Sequence, residues 1–293
     1  MKQLNLRIIL AVQLVVIQLS FGNLAFATPE SEWKEWVSSM SNELKNSEES
    51  FLNVTDTVYL SEGDKIYLAL GQRAGQVKWS KTSESKGIAV EFKQSLMLTL
   101  EDKRKIDLNM EQKWKLSDGR LVRAGKLTDG RHKLYIHDPI SPAQLDFTGL
   151  NFYPYDSKAV VIGTLEKHPS PVIVKLKTSG GESRAYNEIG YVDFKYNGHQ
   201  GRMKVFSPDS KAPLKLLLLF FRDATSAKTT YGGGRNIEIE LSSPQQKEIN
   251  IDFNRAFNPY CARSTHFQCV LSSEPPLPFA VEAGEQKPTP QTK

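Results

Sequence analysis

Two short segments in the carboxy-terminal part of the chain hold the polar residue types that bind or transform ligands. Residues 229–235 read T-T-Y-G-G-G-R, and residues 248–254 read E-I-N-I-D-F-N. Arginine and tyrosine beside glycines suit an anionic or sugar-like ligand, because glycine lets the backbone approach closely. Asn250, Asp252 and Asn254 alternate with apolar residues and therefore share one face of the predicted strand. Such a row of short polar side chains has four interpretations: a pocket wall, a set of calcium ligands, a source of an acid–base carboxylate, or a solvated face. The candidate ligand-binding residues are Tyr231, Arg235, Asp252 and Asn254.

The glycine run also has a structural interpretation, which its flanks favour. Phosphate-binding glycine loops lead into a helix, whereas Gly234 is followed by R-N-I-E-I-E-L, which has the period of a strand. The run therefore predicts the turn of a long hairpin, with its glycines at positive φ. Strand alternation places Arg235 on the same face as Ile237 and Ile239, so its guanidinium requires a partner. Asp223, at the other end of the hairpin, is the candidate, and a ligand-facing Arg235 is the alternative.

Cys261 and Cys269 are the two cysteines of the chain and are separated by seven residues. Because the chain begins like an exported protein, a disulfide between them is expected, and closing so short a loop adds about 2–3 kcal/mol. A metal site that uses both thiolates and His266 is the alternative, but the nearby sequence supplies no fourth ligand. No metal and no cofactor are predicted.

The amino terminus predicts export. Lys2 and Arg7 precede an apolar stretch that ends in A-F-A at residues 25–27, which is the pattern of a secretory signal peptide cleaved before Thr28. An uncleaved anchor is the alternative, but Gln13 and Gln18 interrupt the apolar stretch, so no stable membrane span is expected after cleavage. The predicted location is periplasmic or secreted.

Charge does not indicate a nucleic-acid partner. The chain has 38 Lys and Arg against 33 Asp and Glu, and loss of the signal peptide removes two of the basic residues. The remaining excess of three positive charges is small, and both signs alternate along most of the chain, whereas a phosphate-binding surface gathers positive charge on one face.

The sequence around these candidates has a helical pattern near the amino terminus and a strand pattern after it. Thr28-Pro29 is a helix start, and Trp33 and Trp36 belong to an apolar stripe at helical spacing, which predicts an amphipathic helix packed on the body of the protein. After Ser50 the sequence consists of short runs rich in Val, Ile, Tyr and Phe. Strands are predicted at 57–60, 65–70, 87–92, 96–100 and 133–137. A hairpin turning at Asn197-Gly198 and a doubly buried strand at 214–221 follow.

These patterns predict a mostly β protein. An amino-terminal amphipathic helix is followed by a sandwich-like β region and then by a carboxy-terminal β-barrel or sandwich. The predicted boundaries are 1–27 for the signal peptide, 28–140 for the amino-terminal helix and β region, 141–285 for the carboxy-terminal β domain and 286–293 for a disordered tail. The tail, Q-K-P-T-P-Q-T-K, has no apolar side chain to bury.

Three carboxy-terminal motifs carry a resemblance to a family. They are F-R-D-A-T-S-A-K-T-T-Y-G-G-G-R, I-D-F-N-R-A-F-N-P-Y-C-A and A-G-E, and together with D-P-I-S-P-A-Q-L-D-F-T-G-L-N-F-Y-P-Y-D they resemble the family called domain of unknown function 1684. The family has no assigned activity, so the resemblance implies only that the motifs belong to one unit. Asn258 matches the family pattern and joins the candidate ligand-binding residues. The family's asparagine before a leucine is missing here, where Pro276 precedes Leu277.

Two function classes follow. The favoured one is a non-enzymatic binding or accessory module of the cell envelope that holds a small polar ligand or a partner chain, because the sequence has neither a G-x-S-x-G nor an H-E-x-x-H signature. The alternative is a hydrolase of an envelope saccharide or ester. In that case Asp252 is the acid or base and Arg235 stabilises developing negative charge.

Overall fold

A computed structural model describes residues 28–70, 77–82, 87–127, 129–208 and 214–288. Its strands form three antiparallel sheets, which confirms the predicted mostly β class. The predicted signal peptide and residues 289–293 of the predicted tail lie outside the described residues. The first tail residues are hydrogen-bonded to the body, since Gln286 N–H donates to the carbonyl of Asn151 and Lys287 N–H donates to that of Thr229.

The amino-terminal helix α1, Pro29–Asn46, begins at the predicted cap. Thr28 Oγ1 accepts a hydrogen bond from Ser31 N–H at 3.2 Å, and Ser31 Oγ accepts one from Thr28 N–H at 2.8 Å. Trp33 is buried and donates its indole N–H to the carbonyl of Asn254 at 3.0 Å. The tryptophan stripe therefore packs on the carboxy-terminal domain, as the helical spacing predicted.

The amino-terminal β region is built from two sheets that share one core. Leu60 and Ile136 of one sheet pack into the same apolar cluster as Leu68 and Val90 of the other, which gives the predicted sandwich-like arrangement. Helix α2, Leu108–Glu111, joins the two sheets. The strands are β1 Val54–Leu60, β2 Lys65–Leu70, β3 Val77–Ser80, β4 Ala89–Phe92, β5 Leu96–Thr99, β6 Lys105–Asp107, β7 Lys113–Lys115, β8 Leu121–Lys126 and β9 His132–His137, in the orders β1-β9-β8-β7 and β3-β2-β4-β5-β6.

The connection between the two β regions is ordered. It contains the short helix α3, Pro142–Leu145, whose cap Ser141 donates its hydroxyl to the carbonyl of Leu52 at 2.7 Å. Phe147 is buried, whereas Leu145 is 61% exposed. The connection thus fastens the second domain to the start of the first.

The carboxy-terminal domain is a six-stranded antiparallel sheet that curls into a nearly closed barrel. Its strand order is β14-β13-β12-β11-β10-β15, so β14 and β15 are the edges, and an isolated bridge from Asn236 to Phe257 connects β14 to the segment that follows β15. Alternate residues such as Val192, Leu219 and Ile251 fill the interior. The strands are β10 Val160–Lys177, β11 Ser183–Tyr196, β12 His199–Ser207, β13 Leu216–Phe221, β14 Arg235–Glu240 and β15 Glu248–Asp252.

Two local predictions in the barrel are confirmed. Asn197 and Gly198 have φ of 47° and 85° and connect β11 to β12, as a two-residue hairpin turn requires. Strand β13 is buried on both faces, because Leu217 and Leu219 enter the barrel core while Phe220 joins a second apolar cluster on the outer face.

The glycine run is a turn in the long hairpin between β13 and β14, as predicted, but positive φ is needed at one of its three glycines. Gly234 has a φ of 96°, and a Cβ there would lie 2.6 Å from the carbonyl oxygen of Phe221. Gly233 is required for a different reason, since its Cβ would lie 2.5 Å from the ring of Tyr231. The prediction of positive φ for the whole run is therefore wrong, because close side-chain approach accounts for Gly233.

Arg235 and Asp223 form an ion pair inside the barrel domain. The guanidinium is 1% exposed, and its Nη2 lies 2.8 Å from Asp223 Oδ2. The guanidinium also donates to the carbonyls of Val281 and Ala283, while Asp223 accepts the N–H groups of Thr225 and Val281. Both charges are thus paired and hydrogen-bonded, which is the condition for burying them. Of the two interpretations of Arg235, the structure shows the pair with Asp223.

We predict that Arg235→Met destabilises the protein by about 3–5 kcal/mol, because it leaves the Asp223 carboxylate buried without its partner. Urea denaturation followed by circular dichroism measures the loss. Arg104→Met is the matched control, since Arg104 forms an ion pair of 2.6 Å with Asp102 on the exposed surface. Equal shifts of the two denaturation midpoints would contradict the structural role of Arg235.

Candidate functional site

The structure places three of the predicted site residues in backbone-holding roles. Arg235 is enclosed in its ion pair. Asp252 Oδ1 accepts the backbone N–H of Asn254 at 3.0 Å and its side-chain amide at 2.9 Å. Asn254 is buried and forms two hydrogen bonds of 2.9 Å with the backbone of Asp156. These contacts fasten the end of β15 to the segment before β10, and none of the three residues lines the cleft described below.

Tyr231 lies beside the two cysteines. Its hydroxyl is 3.7 Å from Cys261 Sγ. Cys261 and Cys269 are free thiols in this structure, so the expected disulfide is not formed. The loop instead uses the sulfur of Cys269 as an acceptor for the backbone N–H of Cys261, at 3.0 Å.

A cleft of about 560 Å³ lies where α1, the sheet containing β8 and β9, and the barrel domain meet. A volume of this size suits a small-molecule ligand. Of the predicted site residues, Asn258 lines it. The other lining residues are Trp36, Met40, Glu43 and Leu44 of α1, Glu49, Ser50, Phe51, Arg123, Ala124, Gly125, Tyr135 and His137 of the amino-terminal sheet region, Leu150 of the connection, and Glu238, Phe257, Tyr260, Arg263, Phe267 and Glu285 of the barrel domain.

Four of the six aromatic rings that line the cleft connect its two sides. Phe51 stacks on Tyr260 with ring centroids 4.4 Å apart, and Tyr135 stacks on Phe267 at 5.8 Å. Tyr260 and Phe267 also meet edge to face at 5.5 Å. Such pairs are favourable beyond the apolar area they bury, so they hold the cleft walls while offering ring faces to a ligand.

Lys133 fixes the loop that carries Tyr260 and Phe267. Its ammonium donates to the carbonyl of His266 at 2.7 Å and lies 5.1–5.3 Å from the ring centroids of Tyr59, Tyr135 and Phe267. Burial lowers the pKa of Lys133 to about 8, which still leaves it mainly protonated at neutral pH. The aromatic faces and the carbonyl replace the water that the ammonium gives up.

The cleft carries more negative than positive charge. Arg263 pairs with Glu285 at 2.7 Å, and Arg123 pairs with Glu49 at 3.5 Å. Within the part of the chain that the structure describes, no cation forms an ion pair with the two remaining carboxylates, Glu43 and Glu238. Desolvation by the cleft walls raises the pKa of Glu238, although its side chain stays exposed to the opening. Burial also raises the pKa of Glu285, against the opposing effect of Arg263.

Asn258 adds a polar group to the wall. Its backbone N–H donates to Glu285 Oε2 at 2.6 Å, and its side-chain amide donates to the carbonyl of Gln286 at 2.8 Å. Among the described residues its Oδ1 is buried and has no hydrogen-bond partner. An unpaired buried acceptor costs free energy, and the residue that carries this one lines the cleft.

His137 is the histidine of the cleft wall. Its ring is buried, and burial lowers its pKa to about 4, with Arg123 lowering it further and Glu49 opposing this. The imidazole is therefore neutral at physiological pH. Burial also lowers the pKa of His132 and that of His266.

Sequence reasoning missed most of this cleft. Its residues come from α1, the segment before β1, strands β8 and β9, the connection at Leu150, and three segments of the barrel domain, so no local motif contains them. Glu238 and Glu240 both lie on the exposed face of β14, each between apolar residues. The sequence pattern therefore does not indicate which of the two glutamates lines the cleft. Two signals were present, namely the family match of Asn258 and the aromatic residues Tyr260 and Phe267 beside the cysteines.

The fold and the cleft define a class, a mostly β protein with a ligand-sized cleft where its amino-terminal helix and sheets meet its nearly closed carboxy-terminal barrel. Residues 145–286 match the family described as protein of unknown function, DUF1684, and the chain belongs to this family. The chain is similar to an uncharacterized protein of Haloarcula marismortui solved by NMR in solution, with 33% identity, 51% of this chain and 82% of that chain covered, and a TM-score of 0.43. The comparison with curated proteins gave no match.

Among the described residues, no helix combines the length and the hydrophobicity needed to cross a membrane. The same residues contain no group of three or more His, Cys, Asp or Glu side chains placed to hold a metal ion.

We predict that His137→Gln flattens the loss of stability in mild acid. Between its folded pKa of about 4 and the usual value near 6.5, the unfolded chain binds a proton that the folded protein excludes, so stability falls as pH falls through this window. From pH 7 to pH 5 the variant should lose about 2 kcal/mol less than the wild type. Urea denaturation at the two pH values tests this, and His199→Gln, at an exposed histidine, should behave like the wild type.

Proposed function

We propose that the protein is an exported, non-enzymatic binding module of the cell envelope that holds a small polar ligand in the cleft between its two domains. The observation that carries the proposal is the combination of aromatic walls with carboxylates that no described cation pairs. A cleft of about 560 Å³ with apolar faces and a few convergent polar groups has the features of a small-molecule site. The proposed site is therefore the cleft, which Arg235, Asp252 and Asn254 of the candidate ligand-binding residues do not line.

The charges of the cleft favour a ligand rich in hydrogen-bond donors. Glu43 and Glu238 offer acceptors from two walls of the cleft. Arg123 and Arg263 are already paired with carboxylates, which leaves little positive charge for an anion. Sugars and amines both bring donors together with a face that packs on aromatic rings, whereas phosphate and sulfate do not.

We predict that Glu238→Gln weakens ligand binding at least about tenfold, because it removes an unpaired carboxylate from the cleft. The probes are a panel of neutral sugars, amino sugars and polyamines, with sulfate and phosphate as anions, screened by thermal shift and then measured by calorimetry. Glu240→Gln is the matched control, since Glu240 lies on the same face of β14 but does not line the cleft.

The proposal has clear contrary outcomes. It is overturned if no sugar or amine stabilises the wild type, or if the two variants lose affinity equally. Stabilisation by phosphate or sulfate alone would contradict the proposed ligand class, because the arginines of the cleft would then be the binding groups.

Export is part of the proposal and rests on the amino-terminal sequence. Cleavage before Thr28 leaves the helix cap intact, since Thr28 is the N-cap of α1 and exchanges hydrogen bonds with Ser31. The mature protein would thus begin with the first residue that α1 needs.

We predict that the mature protein purified from cells begins at Thr28, as read by amino-terminal sequencing. Ala27→Leu should block processing, because signal peptidase requires small residues at the cleavage site, whereas Phe26→Leu alters a position without that requirement. A soluble protein that keeps Met1 in the cytoplasm would refute export.

The raised pKa of Glu238 favours one second candidate function, a hydrolase. A carboxyl group that holds its proton longer than usual suits a general acid, and Glu238 takes the role first assigned to Asp252. The ligand panel separates the two functions, because turnover consumes a glycoside or ester while binding leaves it unchanged. Product formation by the wild type and by Glu240→Gln, but not by Glu238→Gln, would establish the hydrolase.

A further inference from the structure

The cleft does not use the two thiols of the loop behind its aromatic wall. Cys261 lies in the short 3₁₀ turn Tyr260–Ala262, and Cys269 lies eight residues later, at the other end of the loop. Both side chains are partly exposed. The backbone N–H of Cys261 donates to Cys269 Sγ at 3.0 Å, so the chain already brings the two cysteines together.

The groups around the thiols are arranged asymmetrically. The hydroxyl of Tyr231 lies 3.7 Å from Cys261 Sγ and is able to donate to it. Cys269 is held differently, through its backbone: its N–H donates to Ser179 Oγ at 3.2 Å, and its carbonyl accepts the N–H of Ser179 at 2.9 Å. The turn at Ser179 therefore fixes Cys269 while donors converge on the sulfur of Cys261.

This asymmetry divides the thiols into one that ionises easily and one that does not. The thiol of Cys269 donates a hydrogen bond to the sulfur of Cys261, and the hydroxyls of Tyr231 and Ser179 donate to the same sulfur. These hydrogen bonds lower the pKa of Cys261 to about 6. The same contact with Cys261, together with burial, raises the pKa of Cys269. Burial and the contact with Cys261 raise the pKa of Tyr231 to about 12, so its hydroxyl stays a donor at neutral pH. Reactive dithiols have this division, whereas inert buried cysteines do not.

We propose that Cys261 and Cys269 form a redox-active dithiol that reduces external disulfides, with Cys261 as the attacking thiolate and Cys269 as the resolving thiol. The geometry that supports this is the donor set around Cys261 and the position of Cys269 against the backbone of the same turn. The activity is separate from ligand binding in the cleft and does not depend on it.

The exchange balances in two steps. The Cys261 thiolate attacks one sulfur of a disulfide R–S–S–R, forms a mixed disulfide and releases one R–S⁻. Cys269 then loses its proton to water, its sulfur attacks Cys261 Sγ, and the second R–S⁻ leaves. The protein ends with a Cys261–Cys269 disulfide and has given two electrons to the external disulfide. Before the attack, the thiol proton of Cys269 stabilises the thiolate of Cys261 through a hydrogen bond. In the mixed disulfide Cys261 carries no charge, so Cys269 is free to lose that proton.

The experiment uses the full mature protein, reduced and then freed of reductant, with dithiobis-nitrobenzoate as the probe disulfide. The wild type should release two equivalents of coloured thiol and retain no probe by mass spectrometry. Cys269→Ser should release one equivalent and retain the probe on Cys261. Cys261→Ser should react at least about tenfold more slowly, because its remaining thiol is mostly protonated.

A second measurement needs no cysteine variant. The rate of the wild type plotted against pH should reach half its maximum below pH 7, well below the value near 8.5 of an ordinary thiol. Tyr231→Phe should move that midpoint to higher pH, which a purely structural tyrosine would not do. Circular dichroism establishes that each variant is folded.

Three results would overturn the proposal. One is equal reactivity of the two single-cysteine variants. Another is a rate profile with an ordinary midpoint near pH 8.5. The third is a native Cys261–Cys269 disulfide that glutathione does not reduce in the folded protein, since that bond would be the permanent structural link expected from the sequence.

Discussion

The buried pair between Asp223 and Arg235 determines where the carboxy-terminal segment lies. The guanidinium binds the carbonyls of Val281 and Ala283, so the segment is held while its alternate side chains enter the barrel. Glu285 follows two residues after Ala283. Its N–H donates to the carbonyl of Ala256, and its carboxylate accepts a hydrogen bond from the backbone N–H of Asn258. A buried ion pair contributes little net stability compared with apolar packing, but it has one satisfied geometry. That geometry places the polar wall of the cleft.

The cleft itself exists because two polar anchors hold the domains at a fixed separation. The indole of Trp33 ties α1 to the end of β15, and the ammonium of Lys133 ties β9 to the loop at His266. Each anchor buries a long side chain with one polar end satisfied, so apolar contact and hydrogen bonding act together. Between the anchors the rings of Tyr135, Tyr260 and Phe267 leave space that side chains do not fill. Contacts that hold the walls of a cleft before a ligand arrives lower the entropic cost of binding one.

Periodicity and turn chemistry predicted the fold because both act over a few residues. The cap at Thr28, the turn at Asn197-Gly198 and the partner of Arg235 all follow from local spacing and the cost of burying a charge. The site did not follow, since its residues meet only after the two domains pack. Asp252 shows why a single residue type is not enough to predict a site. A carboxylate at a strand end is equally typical of a pocket and of a backbone cap, and here it accepts the backbone N–H of Asn254.

One loop joins the two chemistries of the molecule. Tyr260 and Phe267 give the cleft its ring faces, and Cys261 and Cys269 stand next to or near them in the same loop. The backbone N–H of Cys261 donates to Cys269 Sγ, which ties the two ends of this loop together next to the turn that carries Tyr260. Lys133 holds the middle of the same loop, because its ammonium donates to the carbonyl of His266. The contacts that fix the ring faces of the cleft therefore also keep the two thiols close to each other.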